Sequence, residues 1–203
     1  MFEPRYPLIT ARLVLRQFVL EDFDALYAMQ SRPEVTRYLY FDARDREQVR
    51  KALQAKIESV ALKDEGDSLM ASVVLRETGA VVGDVMLRWL SREHQQGEVG
   101  YILHPDYSGN GYATEAAQEM LRLGFEEVGL HRIIGRIDGR NTASARVLER
   151  LGMRREAHLL QNEFVKGEWT DEMVYAMLRD EWLARADPSA DPGAADTRPG
   201  RAE

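Results

Sequence analysis

The chain contains no cysteine. That absence excludes a disulfide framework, a thiolate nucleophile, a zinc ribbon and a cysteine-held iron–sulfur cluster. Histidine is scarce: His94, His104, His131 and His158 form no HxxxH or HExxH spacing, so no metal site is expected. No stretch approaches the roughly 18 apolar residues of a membrane span. The opening MFEPRYPLIT has no apolar signal core, and the expectation is a cytoplasmic protein with no membrane partner. Positive charge is also short. The formal net charge is −7 over 203 residues, and no basic block interrupts it, so a nucleic-acid partner is not expected. The run Arg132, Arg136, Arg140, Arg146, Arg150, Arg154 and Arg155 is dispersed among apolar and acidic residues. It reads as solvated arginine on strand and helix faces, with local attraction of a phosphorylated ligand as the functional alternative.

What is present is a globular composition, with 44% hydrophobic and 30% charged residues. The length suits one domain with a core large enough to need no staples. Residues 186–203, ADPSADPGAADTRPGRAE, hold three of the seven prolines and nothing apolar larger than alanine. Such a segment buries too little surface to offset its ordering entropy. The expected organisation is therefore a domain over 1–185 and a flexible tail over 186–203.

Hydrophobic spacing predicts a strand at 13–16, a short helix at 21–29 and a long helix at 44–63 carrying Val49, Leu53, Ile57 and Val60. Strands follow at 68–76 and 80–89 around the turn Glu77-Thr78-Gly79, and at 97–104, where Pro105 stops the ladder. A helix over 113–128, a strand over 131–137, a helix over 142–151 and a final hairpin of strands, 154–165 and 169–178, complete the pattern. The strand–helix–strand from Gly97 to Ile137 should be a right-handed parallel crossover, and the hairpins are antiparallel. The fold class is mixed α/β: a mostly antiparallel sheet with one parallel pair and flanking helices.

The most informative segment runs from His104 to Ala116, HPDYSGNGYATEA. It follows a strand and opens a helix. Gly109 and Gly111 let the backbone turn its N–H groups inward, and the helix start adds free donors and a positive dipole end. The result is an anion cradle suited to a phosphate or diphosphate. No Lys-Ser/Thr follows the glycines, so it is not a Walker loop, and Thr114 stands where a GxGxxG would have its third glycine.

Ser108-Gly109-Asn110-Gly111-Tyr112-Ala113 resembles motif A of the Gcn5-related N-acetyltransferase (GNAT) superfamily, with Ser108 in place of the usual Arg or Gln. Asn141-Thr142-Ala143-Ser144 and Leu148-Glu149-Arg150-Leu151-Gly152-Met153 resemble a later stretch of the same family. His131-Arg132-Ile133 and Gly167-Glu168-Trp169-Thr170-Asp171 stand in the expected order. Gly-x-Gly-Tyr-Ala-Thr-Glu-Ala and the early Thr10-Ala11-Arg12-Leu13-Val14-Leu15-Arg16 are similar to the RimJ/RimL-like branch. The resemblance spans about residues 8–180.

The resemblance implies acetyl-CoA as cosubstrate, no metal, and direct acetyl transfer to a primary amine. The amine would be the N-terminal α-amine of a protein or peptide, or a small amine such as an amino acid, polyamine or aminoglycoside. It implies a splayed parallel pair, 97–104 and 131–137, with the pantetheine arm in the gap. The diphosphate would sit on Gly109, Asn110, Gly111, Tyr112, Ala113 and Thr114, and Leu103 would offer backbone to the arm. A homodimer is compatible with the branch. Transfer needs a neutral amine, and about a tenth of an α-amine is neutral at pH 7. Glu98 is the first candidate for the base, through a water or directly; binding a cationic substrate is its other role. The family's tyrosine acid would stand where this chain has Leu148. Ser144 stands where RimL-type enzymes place a serine near the thiol, or it acts in the first helical turn. Asn141 bonds the arm or caps the helix. Tyr38 and Tyr40 fall on the acceptor side, and Trp89, Trp169 and Trp182 read as packing or rim residues. Two rivals remain: a non-catalytic acyl-CoA sensor and a nucleotide-phosphate enzyme using the same loop.

Overall fold

The computed structural model describes residues 1–186. The tail expected over 186–203 lies, from residue 187 onward, outside the described residues. Eight strands form one sheet: β1 (Leu8–Ile9), β2 (Leu13–Arg16), β3 (Ser68–Leu75), β4 (Val81–Ser91), β5 (Gln96–Leu103), β6 (Arg132–Asp138), β7 (Arg154–Val165) and β8 (Glu168–Leu178). Their order is β1-β2-β3-β4-β5-β6-β8-β7, and every neighbouring pair is antiparallel except β5–β6. The helices are α1 (Phe23–Gln30), α2 (Pro33–Thr36), α3 (Arg46–Glu58), α4 (Tyr112–Arg122), α5 (Thr142–Arg150) and α6 (Arg179–Ala186).

Strand alternation divides the chemistry between the two faces. On one face Val85, Leu87, Val99 and Ile133 join Ala116, Ala117, Met120 and Leu121 of α4 in the main core. On the other, Asp84 of β4 meets Lys56 of α3 in a buried ion pair at 3.0 Å. Leu26 and Met29 of α1 pack with Val49 and Leu53 of α3 into a second, smaller core on that side. Removing one partner of a buried ion pair costs about 3–5 kcal/mol, so Lys56 ties α3 firmly over the sheet.

Several elements depart from the sequence expectation. The helix expected over 44–63 is shorter, because Asp45 and Gln48 form a reciprocal capping box at its start and the chain leaves it at Ser59 so that Leu62 can bridge to Phe2. The helix expected over 113–128 stays α-helical only to Arg122 and closes in a π turn, Leu123–Val128. Strand β1 and helix α6 carry too little periodicity to be expected. Trp182 of α6 stacks on Phe125 at 5.8 Å and donates to Glu126 at 2.8 Å, which docks the helix.

Candidate active site

The parallel pair is short. β5 and β6 match only at Gln96↔Arg132, Gly97↔Ile133 and Glu98↔Ile134. Past Glu98, β5 stays with β4 as far as Gly83↔Leu103, while β6 stays with β8 as far as Asp138↔Glu172. Each strand is pinned by its outer neighbour, so the two diverge and leave a fork with unpaired edges. Helix α5 closes one wall, and Gly135 lets it do so: a Cβ there would stand 2.7 Å from Leu148 Cδ2. A cavity of about 480 Å³ occupies the fork, bounded by Glu98, Val99, Gly100, Tyr101 and Ile102 of β5, Gly135 to Asp138 of β6, and Asn141, Ser144 and Leu148.

Where β5 ends, the chain enters the glycine loop. Gly109 and Gly111 have φ of +83° and +80°, the left-handed region that glycine enters without penalty. Helix α4 starts at Tyr112 with Gly111 at its N-cap and no side-chain cap. The amides of residues 109–114 have no acceptor among the described residues, and the Thr114 hydroxyl is buried without a partner. A run of unsatisfied donors beside the positive end of a helix fits an anionic diphosphate. Gly109, Asn110, Gly111, Tyr112, Ala113 and Thr114 are thus gathered into one cradle. Leu103 pairs with Gly83 just before it and is not part of the cavity wall.

The cradle is braced from the turn between β1 and β2, which the motif itself does not show. Arg12 Nη1 donates to the Asn110 carbonyl at 2.9 Å, and its guanidinium lies 4.8 Å from the Tyr112 ring centre. Glu115 accepts from Thr10 Oγ1 at 2.6 Å, from the Arg12 amide at 2.7 Å and from Arg12 Nε at 2.7 Å. Partial burial would raise the Glu115 pKa, but the bonds from Thr10 and Arg12 outweigh it and hold the carboxyl below its ordinary range.

Glu98 lies at the point of divergence and is 7% exposed. Arg136, two residues past the last paired position of β6, donates Nε to Glu98 Oε1 and Nη2 to Oε2, each at 3.1 Å. Its third nitrogen, Nη1, is 3.7 Å from Glu172 Oε1. That oxygen is buried without a hydrogen-bond partner, while Oε2 accepts from Asn162 at 2.8 Å. Burial, with Glu163 nearby, pushes the Glu172 carboxyl above its ordinary pKa. Tyr40 donates to Glu163 at 2.6 Å, and burial together with that carboxylate raises the phenol. Sequence reasoning found Glu98 and Tyr40; Glu163 and Glu172 lie on the terminal hairpin and carry no local signal.

On the opposite face of β5, the Tyr101 hydroxyl crosses to α5 and donates to the Ser144 carbonyl at 2.9 Å. Burial pushes this phenol's pKa up, so it keeps its proton. The Asn141 side chain accepts from the Ser144 amide at 3.1 Å and caps α5. Asn141 and Ser144 both border the cavity, and the Ser144 hydroxyl has no hydrogen-bond partner among the described residues. No tyrosine comes from the Leu148 position, which instead fills the space over Gly135.

Among the dispersed arginines, Arg132 pairs with Glu156, Arg140 with Asp138 and Glu168, and Arg154 with Glu156 and Glu181. These three arginines are engaged by carboxylates rather than left free for an anion. Among the described residues no group of three His, Asp or Glu side chains is placed to hold a metal ion, and no helix is long and apolar enough to cross a membrane.

A model of the acetyltransferase (GNAT) domain matches residues 12–154. The uncharacterized N-acetyltransferase YnaD of Bacillus subtilis is 34% identical over 174 residues, covering 85% of this chain and 97% of that protein. A GNAT-family acetyltransferase structure from Bacillus anthracis superposes with a TM-score of 0.77 at 33% identity, over 85% of this chain and 98% of the other. The spermidine N(1)-acetyltransferase of Escherichia coli is 24% identical over 172 residues, 84% of this chain and 88% of that one.

Proposed function

The chain belongs to the GNAT acetyltransferase family and is an acetyl-CoA-dependent N-acetyltransferase; from that premise we propose that it acetylates a primary amine admitted on the Glu98 side of the fork, by direct attack on the bound thioester. Acetyl-CoA supplies the acetyl group and a thiolate leaving group. We place the chain in the RimJ/RimL-like branch on its Thr10–Arg16 run and its Gly-Asn-Gly-Tyr-Ala-Thr-Glu-Ala loop.

The observation that carries this reading is the division of the fork between two proton-handling groups on opposite faces. Glu98 opens to the cavity from the face covered by α3, and Tyr101 with Ser144 from the face covered by α5. The amides of residues 109–114 would hold the diphosphate, and the unpaired edges of β5 and β6 would take the arm. Glu98, Glu163 and Glu172 favour an ammonium in the space beside them. Glu98 takes its proton, directly or through one water, while Arg136 fixes the carboxylate's orientation. A general base at this point contributes about 10²–10⁴-fold. Tyr101, still protonated, is placed to return a proton on the other side, with the Ser144 hydroxyl on the same wall.

The test is an acetylation screen of peptides and small amines with the purified chain, alongside calorimetry with CoA and with ATP. Amine-dependent release of CoA and binding of CoA over ATP are expected. CoA binding without turnover on a broad panel would point to a sensor, and tight ATP binding without CoA binding would defeat the assignment.

A further inference from the structure

The acceptor side of the cavity is electrically divided. At one end stand Glu98 and Glu163 with Arg136, which also approaches Glu172; of the other cations on the wall, Arg140 is matched by Asp138 and Glu168, and Lys166 approaches Asp42. At the other, Asp84 is already matched by Lys56 at 3.0 Å, and Arg44 has no carboxylate partner among the described residues. Register places these ends apart on one face. Asp84 pairs with Ile102, and Glu98 lies four residues back along β5, a separation of roughly 13 Å along the strand.

Arg44 is built into the wall rather than waving in solvent. It is half-buried, Nη1 donates to Gln30 Oε1 at 2.7 Å, and its guanidinium lies 3.7 Å from the Phe41 ring centre. Gln30 is itself 1% exposed. Burial lowers the Arg44 pKa, and nearby Asp84 partly opposes this; guanidinium stays charged at neutral pH regardless. A partly desolvated guanidinium with free donors recognises a planar carboxylate in fork geometry. A polyamine or an aminoglycoside brings only positive charge and would meet repulsion there.

We propose that the acceptor is an amine that carries a carboxylate several bonds away, a zwitterionic small molecule of the ω-amino-acid class, with its ammonium toward Glu98 and its carboxylate on Arg44. This rests on the acetyl-transfer reading above and narrows its substrate. The cavity volume suits a small ligand.

The experiment measures CoA release with acetyl-CoA against α-amino and ω-amino acids, their carboxamides, the matching decarboxylated amines, phosphoethanolamine and spermidine. The ω-amino acids should exceed their own amides in kcat/KM by about tenfold or more, the ratio that about 1.4 kcal/mol of differential binding produces, while α-amino acids, too short to reach both ends, show no such preference. Arg44→Gln should erase that preference by raising KM for ω-amino acids, while calorimetric CoA affinity shows the variant folded. Arg44→Lys should restore part of it. Equal use of ω-amino acids and their amides, preference for spermidine, preference for phosphoethanolamine, or a KM indifferent to Arg44→Gln would each overturn the proposal. If amides and polyamines turn over, acetyl transfer stands and only this narrowing fails; if no amine turns over and CoA does not bind, the failure belongs to the functional reading.

Discussion

Arg136 holds both oxygens of Glu98 with two parallel hydrogen bonds of 3.1 Å. The pair sits where β5 and β6 separate, since Glu98 is the last residue of β5 that still matches β6. A two-point contact fixes the plane of the carboxylate as well as its position. Arg136 therefore orients the carboxylate that we propose faces the amine, and it compensates the buried charge of Glu98.

Glu98→Gln keeps the shape and part of the hydrogen bonding while removing the proton acceptor. Its kcat should fall about 10²–10⁴-fold, with CoA affinity unchanged by calorimetry. An unchanged kcat with a raised acceptor KM would make Glu98 a binding group only.

How much of this was legible follows from how local each signal is. The loop from Gly109 to Thr114 declares itself because left-handed glycines and a following helix are properties of a few adjacent residues. Glu98 was legible from its place just before the splay. Tyr101 was not, since a tyrosine in an alternating strand reads as core, and only the approach of α5 brings the Ser144 carbonyl to its hydroxyl. The brace of Glu115 by Thr10 and Arg12 joins residues more than a hundred positions apart, and Arg44 meets Gln30 only because the turn after α2 folds back on α1. Long-range side-chain pairs leave no period in the sequence.

Tyr101→Phe removes the hydroxyl and leaves the ring in place. Loss of its bond to Ser144 should cost about 1 kcal/mol of stability, read by denaturant unfolding. If Tyr101 returns the proton to the thiolate, kcat falls by much more than that bond explains, and the residual rate depends on Ser144. Equal kcat in the variant would reduce Tyr101 to a strut between β5 and α5.

Substitutions in the cradle act through backbone conformation. An added Cβ at Gly109 meets nothing within 4 Å, and one at Gly111 meets only Arg12 Nη2 at 3.5 Å. Crowding is thus minor, but both residues sit at positive φ, where a β-branched side chain costs on the order of 1–3 kcal/mol. Gly111→Val should weaken CoA binding about tenfold or more by tilting the free amides, and Gly111→Asn, which tolerates this region, should weaken it less. Equal affinity in all three proteins would remove the diphosphate from this loop.

The pH dependence of stability should separate two carboxylates with opposite shifts. Glu115 has a lowered pKa in the folded chain, so the folded state binds fewer protons than the unfolded one as pH falls past the ordinary glutamate range. Its contribution is present above that range and is lost on acidification through the folded value. Glu172 has a raised pKa, so the folded state binds more protons there, and stability drains away as pH rises from the ordinary glutamate pKa through the folded value. Glu115→Gln should therefore lower Tm at pH 7 and flatten the acid limb. Glu172→Gln keeps an acceptor for Asn162, removes a charge from beside Glu163, and should raise Tm at pH 7. A series of melts from about pH 2 to pH 8 in low salt reads both slopes, and a Glu172→Gln protein that melts earlier at pH 7 would mean that its 3.7 Å approach to Arg136 outweighs its burial.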